Sequence, residues 1–83
     1  MANFENLKIV VYTRTGCHLC DEALHLLAQY GLIATTIDID EDEKLVARYH
    51  QCVPVVTING KERFRGRVNE RLLRRILAQG ESL

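Results

Sequence analysis

A short apolar segment leads directly into a helix that begins with two cysteines, and this junction constrains the fold more than any other feature. Residues 7–13 are mostly apolar or β-branched, which is typical of a buried strand. Thr15-Gly16 is a turn signal, and apolar residues then recur at helical spacing from about Cys17 to Tyr30. Cys17 and Cys20 are therefore predicted to lie one turn apart on the same side of this helix.

Two thiols at this spacing can form a disulfide, and their position at a helix start favours redox chemistry. Backbone N–H groups and the helix dipole at this end stabilise a thiolate, so we expect a lowered pKa for Cys17. His18 adjoins Cys17 and, when protonated, would stabilise the thiolate further. The alternative is that both cysteines are small core residues. The loop–helix junction at Cys17 favours the redox interpretation.

The composition excludes several classes of protein. The chain has 83 residues, 47% of them apolar, which indicates one globular domain over residues 1–83. Its formal net charge is zero, so no overall field attracts nucleic acid or a membrane. No apolar run is long enough to span a bilayer. The first residues lack the pattern of an export signal, so we expect a cytoplasmic protein. The odd number of cysteines, three, also argues against a framework of structural disulfides.

The rest of the chain predicts three further strands. Residues 32–39 favour an extended backbone as strand two. Strands three and four are predicted at Val55–Ile58 and at residues 62–65. Asn59-Gly60 between them is a strong signal for a two-residue hairpin turn.

Helix ends are also marked in the sequence. Gly31 fits the left-handed cap that ends helix one. Asp40 is predicted to cap helix two, with Glu43 completing a capping box. Asn69 is predicted to cap helix three, and Gly80 to end it. The buried faces are predicted to comprise Leu45, Val46 and Tyr49 in helix two and Leu72, Leu73, Ile76 and Leu77 in helix three.

The element order is therefore β-α-β-α-β-β-α, an α/β fold. A right-handed crossover makes strands one and two parallel. The hairpin is expected to add antiparallel strands beside strand one. This gives a four-stranded mixed sheet with three helices that cover both of its faces.

This order, with Cys17-His18-Leu19-Cys20 after strand one and Val53-Pro54 before strand three, resembles the thioredoxin fold in its minimal glutaredoxin form. The segment of residues 12–21 is similar to the start of small bacterial glutaredoxin-like proteins, and the resemblance covers about residues 7–79. It implies a thiol–disulfide oxidoreductase with Cys17 as nucleophile and Cys20 as the less exposed resolving thiol. It also implies a cis bond before Pro54, which would face the disulfide, with the Val53 backbone as a platform for substrate.

The same resemblance assigns residues that would contact substrate. Arg14 stands where glutaredoxins carry a lysine near the glutathione carboxylate. Gly66 is retained from the loop before the last helix, but the family's acidic pair there is absent. Arg65 and Arg67 stand in that loop instead, and they favour an anionic substrate or an acidic patch on a protein partner.

Cys52 lies two residues before Pro54, where glutaredoxins commonly have threonine. A small buried thiol that fills this position is the preferred interpretation. A third redox-active thiol able to pair with Cys17 is the alternative. Either way Cys52 is expected to modulate the site.

The resemblance implies reduction of protein or small-molecule disulfides, with no tightly bound cofactor and with glutathione as a candidate co-substrate. The expected partners are a disulfide-containing protein or glutathione and a reductase as electron donor, and the protein is expected to be a monomer. One alternative is an iron–sulfur or metal-carrying module, although the His50-x-Cys52 spacing is a poor match to a zinc site and no metal ligand is assigned. The other is an interaction module switched by its disulfide.

Overall fold

Seven regular elements and one 3₁₀ turn make up the part of the chain that the computed structural model describes, residues 7–49 and 52–79. In chain order they are β1 Ile9–Thr13, α1 His18–Gln29, β2 Ala34–Asp38, the 3₁₀ turn Ile39–Glu41, α2 Glu43–Tyr49, β3 Val55–Ile58, β4 Lys61–Arg65 and α3 Glu70–Gln79. The predicted order of elements is confirmed.

The four strands form one mixed sheet in the order β2-β1-β3-β4. β1 is parallel to β2 and antiparallel to β3, and β3 is antiparallel to β4, as the sequence predicted. Tyr12 near the end of β1 pairs with Val55 at the start of β3. The loop that follows β1 and the loop that precedes β3 therefore lie at the same end of the strands.

Helices cover both faces of this sheet, and alternate residues of the central strands supply the two cores. Val11 and Val56 face α1 and α3, where they pack in one cluster with Leu27 and Leu73. Their neighbours Tyr12 and Val55 face the other way and pack against α2 and the 3₁₀ turn. This second cluster also contains Ile39, Leu45, Val46 and Tyr49. This alternation with a period of two is what a strand between two apolar layers requires.

Several predicted turns and caps are present. Asn59 and Gly60 have φ values of 55° and 83°, the two positive values of a type I′ hairpin turn. Helix α1 ends in a Schellman motif, in which the Gly31 N–H donates to the Ala28 carbonyl at 2.9 Å and the Leu32 N–H to the Leu27 carbonyl at 3.1 Å. At the start of α3 the Leu72 N–H donates to Asn69 Oδ1 at 3.0 Å.

The predicted cap of helix two is wrong. Asp38 caps the 3₁₀ turn by accepting from the Asp40 N–H at 2.9 Å, and Asp42 caps α2 by accepting from the Lys44 N–H at 2.9 Å. Glu43 is the first residue of α2 and forms no capping box with Asp40. The 3₁₀ turn causes this difference, because it inserts three residues between β2 and α2 and moves the helix start.

Leu72, which was predicted to belong to the buried face of helix three, lies outside the observed core. Leu72 is 37% exposed, whereas its helix neighbours Leu73, Ile76 and Leu77 are buried. Ile33, predicted in strand two, precedes β2 and is 89% exposed. The predicted end of helix three at Gly80 lies outside the described residues. Among the helices of the described part, none has the length and apolar character that a membrane crossing needs.

Candidate redox site

The two cysteines form a disulfide at the start of α1. Their Cα atoms are 5.2 Å apart, within the usual range for a disulfide. Cys17 is the N-cap residue of the helix, and its Sγ accepts a hydrogen bond from the Cys20 N–H at 3.1 Å. The preceding turn is closed by the Cys17 N–H, which donates to the Arg14 carbonyl at 3.2 Å. The chain therefore places a sulfur where a helix normally has an oxygen that caps its free N–H groups.

The two sulfurs differ in their access to solvent. Cys20 is 2% exposed and packs inside the first turn of α1, whereas Cys17 is only partly buried. His18 is exposed beside Cys17, and Leu19 is partly buried. The structure thus agrees with the expectation that Cys17 is the accessible thiol and Cys20 the protected one.

The loop before β3 adopts the conformation that the resemblance implied. The Val53–Pro54 peptide bond is cis, and Pro54 is buried. The Gly66 N–H donates to the Pro54 carbonyl at 2.8 Å, which ties the loop after β4 to this proline. Gly66 has a φ of 87°, in the left-handed region that favours glycine, and this explains why the position suits glycine.

Arg14 is engaged by a carboxylate that the sequence did not assign to the site. Its Nη2 lies 2.7 Å from Asp40 Oδ1, and its Nε donates to Asp40 Oδ2 at 3.2 Å. This paired hydrogen bond, together with the charge of Asp40, raises the pKa of Arg14. A substrate carboxylate at Arg14 would therefore share the guanidinium with Asp40.

Arg65 is engaged in the same way. Its Nε and Nη2 donate to the carboxylate of Glu62 at 2.8 and 3.1 Å. Residues three apart in a regular strand point to opposite faces, but a bulge opposite Val56–Thr57 puts Glu62 and Arg65 on one face. The hydrogen bonds from Arg65 are the main reason that the pKa of Glu62 is lowered.

Cys52, in the loop before β3, contacts the arginine of this pair. Its thiol is partly buried and accepts a hydrogen bond from Arg65 Nη1 at 3.6 Å. Its backbone N–H donates to the Tyr49 carbonyl at 2.7 Å. The sequence predicted a small buried thiol here and did not predict this contact with a guanidinium. Whether Cys52 pairs with Cys17 stays a prediction.

Arg67 differs from Arg14 and Arg65. It is exposed, and no carboxylate within residues 7–49 and 52–79 lies within ion-pair distance of it. Together with Leu19 it lines a groove beside α1. Of the two loop arginines predicted to meet an anion, the structure therefore leaves Arg67 without a carboxylate partner in the described part of the chain.

Metal ligation was the other chemistry open to these residues. In the described ranges, no three or more His, Cys, Asp and Glu side chains are grouped so that they could hold a metal ion. His50, one member of the set that the sequence suggested, lies outside the described residues.

The profile of the glutaredoxin-like domain family (DUF836) matches residues 8–78. The chain belongs to this family. The match takes in the disulfide, the proline loop and most of α3, so it covers the whole site described above. No curated protein matches the chain.

Solved structures agree with this assignment. A structural-genomics target protein from X. campestris shares 31% identity with a TM-score of 0.72, over 81% of this chain and 91% of that one. Protein Ne2328 from Nitrosomonas europaea shares 31% identity with a TM-score of 0.75, over 86% of this chain and 91% of that one. The holo form of glutaredoxin C1 from Populus tremula x tremuloides shares 28% identity with a TM-score of 0.65, over 84% of this chain and 71% of that one. The chain thus has a glutaredoxin-like thioredoxin fold with a closely spaced cysteine pair.

Proposed function

We propose that this protein is a thiol–disulfide oxidoreductase that reduces disulfides with the Cys17–Cys20 pair. The observation that carries the proposal is the position of Cys17 as the N-cap of α1, where its sulfur accepts the Cys20 N–H. An N–H donor and the positive end of a helix stabilise a thiolate, which is the form that attacks a disulfide.

The reaction begins from the reduced dithiol. The Cys17 thiolate attacks one sulfur of the substrate disulfide, a Cys17–substrate disulfide forms, and the other substrate sulfur leaves as a thiolate that takes up a proton. Cys20, after losing its proton, attacks Cys17 Sγ and releases the second substrate thiol. The substrate gains two electrons and two protons, and the protein is left with the Cys17–Cys20 disulfide seen in the structure.

The proline loop supports a role in holding the substrate. Within the described residues, the backbone N–H and C=O of Val53 have no hydrogen-bond partner, whereas the Pro54 carbonyl is bound by Gly66. These two groups at Val53 are available to an extended substrate backbone. This supports the assignment of Val53 and Pro54 as the platform that would align a substrate disulfide with Cys17.

The charges around the site favour a protein disulfide over glutathione as substrate. Arg14 and Arg65 are each hydrogen-bonded to a carboxylate of the chain itself, and the acidic pair that holds the glutathione ammonium in related proteins is absent. Glutathione stays the candidate co-substrate that regenerates the dithiol, with a dedicated reductase as the other candidate donor.

Cysteine variants test the assignment of roles. With a peptide disulfide as substrate, Cys20→Ser is expected to accumulate a covalent adduct on Cys17, because the resolving step is lost. Cys17→Ser is expected to form no adduct and to reduce nothing. Mass spectrometry of peptide digests locates the adduct, and an adduct on Cys20 or Cys52 in place of Cys17 contradicts the assignment.

Equilibration with glutathione buffers, read by alkylation and mass spectrometry, identifies the electron donor. A midpoint near about −200 to −230 mV with a glutathione adduct on Cys17 indicates a glutathione-linked enzyme. A midpoint near about −270 mV without an adduct indicates a donor of the thioredoxin reductase kind. If no Cys17–Cys20 disulfide forms in any buffer, the redox function is wrong, and colour in the purified protein would then favour a cluster-carrying role.

A further inference from the structure

A groove runs along α1 from the redox site. It lies between α1 and the loop that joins β4 to α3, and its volume is about 280 Å³. Leu19, Ala23 and Leu26 line it from the helix, and Arg67 and Val68 line it from the loop. Leu19 stands between the two cysteines in the sequence, so one end of the groove lies at the first turn of α1, the turn that carries the disulfide.

The floor of this groove is an apolar strip. Ala23 and Val68 are buried, whereas Leu19 and Leu26 are only partly buried and leave apolar surface open to solvent. The seven residue steps from Leu19 to Leu26 rise roughly 10 Å along the helix, which is the length of about three residues of extended chain. The strip therefore fits a short peptide segment that continues past the reacting disulfide.

Charged side chains surround the strip. Arg67 has no carboxylate partner among the described residues, so its guanidinium is available to a ligand. Glu22 lines the same groove and is exposed, so it would repel an anion placed near it. His25 on the same wall contacts Gln29 at 3.2 Å.

We infer that this groove binds the segment that flanks the reacting cysteine of a protein substrate, with an apolar side chain on the leucine strip and an acidic residue at Arg67. The inference rests on the proposed function and adds to it the class of substrate sequence that the enzyme prefers. The surface close to Cys17 would accept any disulfide. The groove extends beyond this surface, so it would discriminate between substrates by the residues that flank their reacting cysteine.

The probes are two peptides that differ only in their charged residues, Glu-Leu-Cys-Leu-Glu and Lys-Leu-Cys-Leu-Lys, each capped with a 2-thiopyridyl disulfide on cysteine. Attack of the Cys17 thiolate on the peptide sulfur releases neutral 2-thiopyridone, whose absorbance gives the rate. The pre-reduced protein is expected to react about two- to fivefold faster with the acidic peptide, the size of one exposed ion pair. This ratio is expected to approach one at about 1 M salt, because exposed charges are then screened.

Three variants make the test specific. Arg67→Glu is expected to reverse the preference, and Glu22→Gln to increase the preference of the natural protein for the acidic peptide. Arg75→Glu makes the same change of charge at an exposed arginine of α3 that does not line the groove, and it is expected to retain the preference. A third peptide with serine in place of leucine is expected to react more slowly with the natural protein and with Arg75→Glu.

Two results would overturn the inference. Equal rates with the acidic and basic peptides at low salt would show that the groove does not discriminate between peptides by their charge. Equal effects of Arg67→Glu and Arg75→Glu would assign the preference to the overall field in place of the groove. If neither the peptides nor bis(2-hydroxyethyl) disulfide react, the proposed function itself is wrong, whereas reaction without preference refutes the groove alone.

Discussion

At the scale of single residues, two arginines of the candidate site are paired with carboxylates of the chain itself. Asp40 holds Arg14, and Glu62 holds Arg65. The sequence predicted that both arginines would be available to bind a substrate. Because Arg14 and Arg65 are each hydrogen-bonded to a carboxylate of the chain itself, they are less available to a substrate, whereas Arg67 has no carboxylate partner among the described residues.

The Glu62–Arg65 pair gives a prediction for titration. Because Arg65 stabilises the carboxylate, the pKa of Glu62 in the folded protein is below its ordinary value. The stabilisation is therefore present above the pKa of Glu62 in the unfolded chain and is lost as the pH falls through the lowered value. Replacement of Arg65 by Gln is expected to return the pKa towards the ordinary value for Glu, about 4.3.

Carbon NMR of the side-chain carboxyl groups measures this change, with Glu62→Gln to assign the signal. Arg71→Gln serves as the matched control, because Arg71 is an exposed arginine with no ion pair to Glu62. A midpoint for Glu62 that is the same in the natural protein and in Arg65→Gln would contradict the pairing in solution.

At the scale of elements, the sequence predicted which segments fold and missed two local irregularities. Strand β3 has the predicted bounds, and the hairpin turn is confirmed. The 3₁₀ turn before α2 was missed because a single turn has no periodic pattern. The bulge in β4 was missed because it depends on how β3 and β4 pair, which composition does not reveal.

The cap of α3 gives a second prediction. Asn69 Oδ1 accepts the Leu72 N–H at 3.0 Å, one of the helix-start donors that lack a partner within the helix. Asn69→Ala is expected to lower the free energy of unfolding by about 1 kcal/mol. Urea denaturation of the oxidised protein measures it.

Asn69→Asp is the control for this cap, because aspartate caps helices about as well as asparagine. It is expected to keep the stability of the natural protein. Equal losses in Asn69→Ala and Asn69→Asp would mean that the amide acts in some way other than capping.

At the scale of the whole molecule, one layer of the core depends on α3. Leu73 is fully buried between α3 and the sheet, whereas its neighbour Leu72 is 37% exposed. Leu73→Ala is expected to cost about 2–5 kcal/mol, because it leaves a cavity in a small core. Since total stability in small domains is of the same order, this variant is expected to be partly unfolded at room temperature.

Leu72→Ala is the matched control, with the same atoms removed one residue away. It is expected to cost much less than Leu73→Ala, because its side chain already meets solvent. Thermal unfolding followed by circular dichroism compares the two, and equal losses would contradict the assignment of the buried face of α3.

The candidate site was predictable where its residues carry a local signal. The spacing of Cys17 and Cys20 at a strand–helix junction is visible in the sequence and predicted a pair close enough for a disulfide, whereas the cis bond before Pro54 was expected only from the resemblance to glutaredoxins. The partners of the arginines were not found, because Arg14 and Asp40 are 26 residues apart and meet only after β1 and β2 pair. The groove at Leu19 was not found either, since it forms between α1 and a loop far along the chain.

The hairpin turn lies at the end of the sheet opposite the disulfide. The Asn59 N–H donates to the Lys8 carbonyl, at the start of β1, whereas the cysteines follow the end of β1. Exposed turn tips are where proteins best accept added sequence. An affinity tag or a fluorescent domain inserted between Asn59 and Gly60 would therefore lie far from Cys17, and the protein could be attached to a surface through this turn while Cys17 stays accessible to a substrate.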